Sequence, residues 1–265
     1  MILQTQKLQP IPMERSWKLL CLALLVSSVT LGSCAPAPET STENPTTTAA
    51  EAYRPRLDCP ATAEAEEAAA PCVAVVEMVF QSASPEVNGQ TIRIELNGAE
   101  APVTAGNFVD LVSRGVYDGT AFHRVIRSPE PFVVQGGDPL SKDAQVPLNA
   151  LGRGGFTDPD TGIRRDVPLE IKLEGEAEPI YGQGELDPTK VVLPHSKGAI
   201  AMARSQAPNS ASSQFYFSLA PNEFLNGNYA VFGQVTEGIE VLDQIEMGDR
   251  IQSARVIEGE DLLIR

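Results

Sequence analysis

Two patterns of apolar and polar positions mark the start of order along the chain. From Val73 the run VAVVEMVF is almost continuously apolar, and from Thr91 the run TIRIEL alternates with period two, so both read as strands. Asn88-Gly89 between them is a strong tight-turn signal and predicts a hairpin. Pro102 then opens a segment whose Phe108, Leu111 and Val112 fall on one helical face, with Gly115 as its stop. Phe122, Val125 and Ile126 make another β-type run, and Phe132, Val133 and Val134 a fourth; Ser128, Pro129, Glu130 and Pro131 between them cannot continue a central strand. The pattern thins over the 56 residues between Asp138 and His195, which are rich in Gly, Pro and charge. They read as long loops around one short strand in RDVPLEIKL, residues 165 to 173. Short strands return in GAIAMA, SQFYFSL, YAVFGQV and SARVIEG, while Ile239, Leu242 and Ile245, at i, i+3 and i+6, predict a second amphipathic helix. Many short strands with only two helices point to a mainly β protein whose sheet closes into an antiparallel barrel.

Within the second hairpin, strict alternation puts Phe122, Arg124 and Ile126 on one face and His123 and Val125 on the other. An arginine sharing a face with apolar residues is expensive to desolvate unless something needs its charge. Arg124 is therefore the first candidate functional residue.

The N-terminus has a different character. Arg15 and Lys18 precede an apolar run from Leu19 to Val29, an export-signal pattern too short for the ~20 apolar residues that span a bilayer. The run ends in Leu31-Gly32-Ser33-Cys34, which resembles the bacterial lipoprotein box. That resemblance implies removal of residues 1–33 and acylation of Cys34, tethering an exported protein to a membrane through lipid. An ordinary signal peptide cut nearby is the other reading. Residues 34–72, dominated by Ala, Pro, Thr and Glu, bury too little apolar surface to order themselves and read as a flexible linker. Cys59 and Cys72 within it fit no zinc or redox spacing; they are either a local disulfide, which would constrain the unfolded chain by about 3 kcal/mol, or two free thiols.

Charge narrows the partners. The 265 residues carry a formal net charge of −15, a balance that repels phosphate backbones and excludes nucleic acid as a natural partner. Asp160-Thr161-Gly162, the tripeptide of aspartic proteases, has no apolar strand leading into it and no second copy, so it reads as a turn. His123 and His195 lack clustered cysteine or carboxylate ligands, and no metal or other cofactor is expected.

FHRVI, FVVQGGD, GAIAMARS, SSQFYFSLA and NEFLNGNYAVFGQV, in this order from residue 122 to 235, resemble the cyclophilin family of peptidyl-prolyl isomerases. The likeness runs from about Val73 to the C-terminus and makes 73–265 the expected isomerase domain, with an enlarged loop region at 139–194. It implies an eight-stranded antiparallel barrel capped by an α-helix at each end, with the substrate groove outside it on one face. By the same resemblance Arg124 matches the catalytic arginine and Gln135 the glutamine that holds it and the substrate backbone. Phe132, Val133, Tyr216, Phe224 and Leu225 match the apolar proline pocket and its rim. Ala203, Arg204 and Gln214 match positions that bind the residues before the proline. Tyr229 is a further substrate-binding position, and four positions depart from the common pattern: Val133 replaces methionine, Arg204 asparagine, Phe224 tryptophan and Tyr229 histidine. The loss of an indole N–H at Phe224 implies weak cyclosporin binding, and Arg204 adds a positive charge beside the groove. The expected function is prolyl isomerisation of exported polypeptides. The alternative is a non-catalytic module that binds a partner through the same groove or through 139–194.

Overall fold

The computed structural model describes residues 55–59 and 72–265; the expected signal peptide, Cys34 and most of the expected linker lie outside them. In chain order the elements are β1 (Arg56–Leu57), β2 (Val73–Gln81), β3 (Thr91–Asn97), helix α1 (Pro102–Ser113), β4 (Arg124–Ile126) and β5 (Val133–Gly136). There follow β6 (Glu170–Ile171), β7 (Ile180–Tyr181), β8 (Ala199–Met202), β9 (Phe215–Ser218), β10 (Val231–Glu237), β11 (Arg250–Glu258) and β12 (Leu263–Ile264). Eight of them form one antiparallel sheet in the order β11-β2-β3-β10-β8-β9-β5-β4. The alternation of TIRIEL becomes an alternation of burial, with Ile92, Ile94 and Leu96 inside and Thr91, Arg93 and Glu95 exposed. In β2 the same parity buries Ala74, Val76, Met78 and Phe80.

The sheet curls into a barrel, and its two edges meet at a corner instead of along a ladder. Ala121, just before β4, bridges to Arg250 of β11. Phe122 N donates to Asp249 O at 2.8 Å and Ile251 N to Thr120 O at 2.9 Å. Two arginines rivet this seam: Arg250 donates to Gly119 O and Ser141 O, and Arg127 to Leu242 O and Ile245 O. The corner corrects the alternation expected for the hairpin. β4 starts only at Arg124, so Phe122 belongs to the turn and points into the core, fully buried, 5.9 Å from Phe80. It does not share a face with Arg124.

Among the described residues there is one α-helix, where two were expected. Residues Ile239–Asp243 instead form a 3-10 turn opened by Gly238. A spacing of i, i+3, i+6 has period three, which suits 3-10 geometry better than the 3.6 of an α-helix. None of the described helices is long and apolar enough to cross a membrane.

α1 plugs one end of the barrel. Phe108 sits edge-on to Phe215 at 5.3 Å and packs on Tyr117 and Phe232, and each such buried ring contributes roughly 1.5–3 kcal/mol. The helix is buried on every side, a wider burial than the single face expected. Residues 55–59 cover its outer side, although composition placed them in the linker. Leu57 is fully buried, β1 pairs with β12, and Cys59 is bonded to Cys72. Gly106 makes the crossing possible, since a Cβ there would collide with the backbone of Arg56.

The 139–194 segment is more structured than loops. Leu169, Ile171 and Leu186 pack with Ala230 in a small apolar cluster of their own, and β6 pairs with β7. The strand expected over 165–173 shrinks to Glu170–Ile171, with single bridges at Val167 and Leu173. Glu170 reaches the N-terminus of α1, whose own N-cap Ala101 offers no side-chain acceptor, and accepts from Val103 N at 3.1 Å and Thr104 N at 2.7 Å. A carboxylate is well placed there, against the positive end of the helix. Arg165 from the same segment bonds the buried Asp110 of α1. Asp160-Thr161-Gly162 is a turn: Gly162 N donates to Asp158 O, and Asp158 Oδ1 accepts from Asp160 N.

Candidate active site

Sheet register assembles the site. Arg124 on β4 stands opposite Gln135 on β5, Gln135 opposite Tyr216 on β9, Tyr216 opposite Ala201 on β8, and Ala201 opposite Val231 on β10. Directly opposed residues share a face, so these five side chains form one transverse row on the outside of the barrel. Their neighbours in sequence, Val125, Val134, Phe217 and Ile200, point into the core.

Apolar side chains fill one side of that row. Val133, Ala199, Ala201, Tyr216 and Val231 are buried together outside the barrel, and Phe132, Leu193, Ala203, Leu225 and Tyr229 pack on them partly exposed. Phe224 is 72% exposed and stacks on Phe132 with ring centroids 5.6 Å apart. Asn222 ties this rim down: its Nδ2 donates to Phe132 O and its amide to His195 O.

Polar groups line the other side as a chain. Arg124 Nη1 donates to Gln135 Oε1 at 3.1 Å, Gln135 Nε2 to Gln214 Oε1 at 3.2 Å, and Gln214 Nε2 to Gly154 O at 2.8 Å. The guanidinium lies 5.7 Å from the Phe132 ring centre and makes no ion pair among the described residues, so its remaining N–H groups are left available. Gln214 is aimed by its flanks. Asn107 of α1 donates to Ser212 O, Tyr117 to Ser213 O, and Ser213 Oγ to Gly137 O.

Sequence reasoning left two positioning residues, His195 and Asp138, without a role. His195, set aside as a metal ligand, is buried under the groove floor; its Nδ1 and Nε2 lie 2.9 Å from Asn226 Oδ1 and Tyr216 Oη. Asn226 Oδ1 also accepts the His195 amide, so Nδ1 carries the proton and Nε2 accepts from the tyrosine. Burial lowers the His195 pKa, against the Asn226 hydrogen bond, and burial pushes the Tyr216 hydroxyl well above its ordinary value. Asp138, fully buried at the end of FVVQGGD, accepts from Leu140 N, Gly152 N and Gly154 N and thereby shapes the loop that meets Gln214. His123 lies buried nearby, with desolvation lowering its pKa against the charge of Asp138. Asp138 sits between Gly136-Gly137 and Pro139, and His195 directly follows Val191-Val192-Leu193-Pro194, but neither setting says which neighbour the side chain holds.

Arg204 is placed differently from a freely projecting rim charge. Its guanidinium lies 4.7 Å from the Tyr229 ring centre and donates to the carbonyls of Asn228, Ser205 and Gln206. It contributes charge to the groove edge with most of its donors already occupied.

The family model of cyclophilin type peptidyl-prolyl cis-trans isomerases matches residues 82–262. A protein of Synechocystis sp. named as a thylakoid lumen peptidyl-prolyl cis-trans isomerase is 44% identical over 191 residues, which are 67% of this chain and 47% of that one. A chloroplastic peptidyl-prolyl cis-trans isomerase of Arabidopsis thaliana is 41% identical over 189 residues, 66% of this chain and 40% of that protein. The chain thus spans about half or less of the length of these two relatives. A peptidyl-prolyl cis-trans isomerase-like 1 protein of Rhizopus delemar is 33% identical over 155 residues, 58% of this chain and 73% of that one.

Proposed function

The chain belongs to the cyclophilin-type peptidyl-prolyl cis-trans isomerases, and from that premise we propose that it rotates X-Pro bonds of exported polypeptides with Arg124 as the catalytic donor. The observation that carries this reading is the juxtaposition of the Arg124–Gln135–Gln214 chain with the apolar floor in one face of the sheet.

Isomerisation breaks no σ bond. It requires loss of amide resonance, a barrier of ~18–20 kcal/mol, and in the twisted state the proline nitrogen regains a lone pair. A proline ring seated on Phe132, Val133, Tyr216 and Leu225 leaves that nitrogen toward the guanidinium side of the groove. Arg124 then donates to a lone pair that the planar ground state lacks, so the interaction strengthens only as the bond twists. Gln135 fixes the guanidinium and leaves it pointing outward. Ala203 and Gln214 receive the residues before the proline. No nucleophile, proton transfer or metal enters the reaction.

Export and membrane attachment complete the proposal. The basic-then-apolar N-terminus ending at Cys34 supports a lipid anchor, the Cys59–Cys72 bond suits an oxidising compartment, and a relative named for the thylakoid lumen supports an exported setting. An intact mass of membrane-extracted protein carrying acyl groups on Cys34, with residues 1–33 absent, is the expected result; an unmodified Cys34 removes the anchor from the proposal. Cyclosporin is expected to inhibit weakly because Phe224 lacks an indole donor.

The deciding experiment is isomerisation of an Ala-Pro-Phe peptide by the full chain and by Arg124→Ala. Loss of one preorganised donor predicts a fall in kcat/KM of about 10²–10³. A folded Arg124→Ala variant with undiminished turnover rejects the arginine mechanism, and an inert wild-type protein rejects catalysis in favour of a binding role for the groove.

A further inference from the structure

Beside the groove the surface opens into a cavity of about 310 Å³ that shares Gln135, Ala203 and Gln214 with it. Its outer walls carry Arg153, Arg164 and Arg204, and no carboxylate lines it. That is a concentration of positive charge in a chain whose net charge is −15. Two acids of the adjoining segments are already engaged, Asp138 by the Gly152 and Gly154 amides and Asp166 by Arg164 Nε at 2.7 Å. Arg164 lines the cavity, and its two terminal nitrogens pack against Gly155, whose missing side chain makes room for them. Arg153 is exposed and has neither a hydrogen bond nor an ion pair among the described residues. Arg204 adds its charge from the far rim, and Arg124 stands next to the cavity through Gln135.

We propose that this cavity receives the carboxylate side chain of an acidic residue shortly before the X-Pro bond, with Arg153 and Arg164 as specificity residues of the isomerase site. The inference rests on the isomerase reading for the direction of the bound peptide, since Ala203 and Gln214 hold the residues that precede the proline. Successive residues of an extended peptide advance about 3.3–3.6 Å. The residue next to the one seated at Ala203 therefore arrives over the shared wall, and a glutamate side chain extends from there to the arginines. Apolar and lysine side chains at that position meet the positive charge of Arg153 and Arg164 instead.

The test uses the full chain and blocked Gly-Xaa-Ala-Pro-Phe peptides with Glu, Gln or Lys at Xaa. At low ionic strength kcat/KM for Glu is expected to exceed that for Gln by about tenfold, the combined effect of two or three partly exposed ion pairs. The ratio falls toward one in about 0.5 M salt, where screening is nearly complete at these distances. Arg153→Ala with Arg164→Ala reduces the Glu preference to about threefold or less, and Arg153→Glu, a change confined to an exposed side chain, shifts preference toward Lys. Fluorescence anisotropy of the same labelled peptides gives Kd independently of turnover. Equal turnover of all three peptides by the wild-type protein overturns the acid site and retains the isomerase. Tighter binding of the Glu peptide without turnover retains the acid site and rejects the isomerase. Absence of both binding and turnover overturns both.

Discussion

Replacing Asp110 with alanine is expected to be among the most damaging single changes in this fold outside the apolar core. The carboxylate is fully buried in α1 and accepts from Arg265 Nε at 2.6 Å, Arg165 Nη1 at 2.7 Å and Arg114 Nε at 2.8 Å. These arginines come from the end of the chain, the 139–194 segment and the helix itself, so one side chain fastens three parts of the molecule. Removing one partner of a buried ion pair costs about 3–5 kcal/mol, because the other charge is left behind. Here Arg265 and Arg114 are exposed enough to rehydrate, while Arg165 is mostly covered. The expected loss is therefore nearer 3 kcal/mol, or a fall in Tm of about 6–12 °C for a domain of this size. Burial raises the Asp110 pKa, but the bonds from Arg265, Arg165 and Arg114 outweigh it and hold the carboxyl below its ordinary range. A carboxyl held lower in the fold than in the unfolded chain adds stability that is complete above the unfolded value of about 3.9 and is lost as pH falls through the folded value. Urea unfolding of the wild-type and Asp110→Ala proteins should thus show a gap of about 3 kcal/mol at pH 7 that narrows below about pH 4. A gap under about 1 kcal/mol at pH 7, or one that does not depend on pH, refutes the account of Asp110 as a buried anchor.

Three further outcomes concern other parts of the fold. Tyr216→Phe strips the buried His195 Nε2 of its partner and should lower stability by about 1–2 kcal/mol, while the retained ring leaves kcat/KM on a short peptide within about threefold, both read on one preparation. Phe224→Trp restores an indole donor on the exposed rim and should strengthen cyclosporin inhibition by about tenfold in an inhibition titration; an unchanged inhibition constant would detach that position from the inhibitor. Cys59→Ser with Cys72→Ser opens a loop of 13 residues and frees β1 from α1, and should destabilise by about 3 kcal/mol in denaturant melts under oxidising conditions, with no difference from wild type once both are reduced.

Local chemistry made several elements legible. Strict alternation in TIRIEL, Pro102 at a helix start and Asn88-Gly89 at a turn each act through their own backbone, and each appears where its residues predict. The groove side chains were readable through a likeness spread over separated blocks, and sheet register brings Arg124, Gln135 and Tyr216 into one row. What the sequence did not disclose depends on contacts distant along the chain. Phe122 turns inward because the barrel closes at that corner, and Glu170 caps a helix that begins 68 residues earlier in sequence, at Pro102. Composition misplaced residues 55–59 because Leu57 alone, amid polar neighbours, gives no sign of the Gly106 surface that receives it.

β4 is three residues long and ladders with β5 alone, whereas the strands that carry the apolar floor, β5, β9, β8 and β10, are each paired on both sides. β4 takes its second support from the corner instead, where Ala121 bridges to Arg250 and Arg127 donates to the carbonyls of Leu242 and Ile245. Those contacts stand in for the second neighbouring strand that β4 lacks. Arg124 at the edge of the sheet and Val133, Tyr216 and Val231 at its centre are therefore held in one frame, which is what the proposed preorganised donor beside an apolar floor requires.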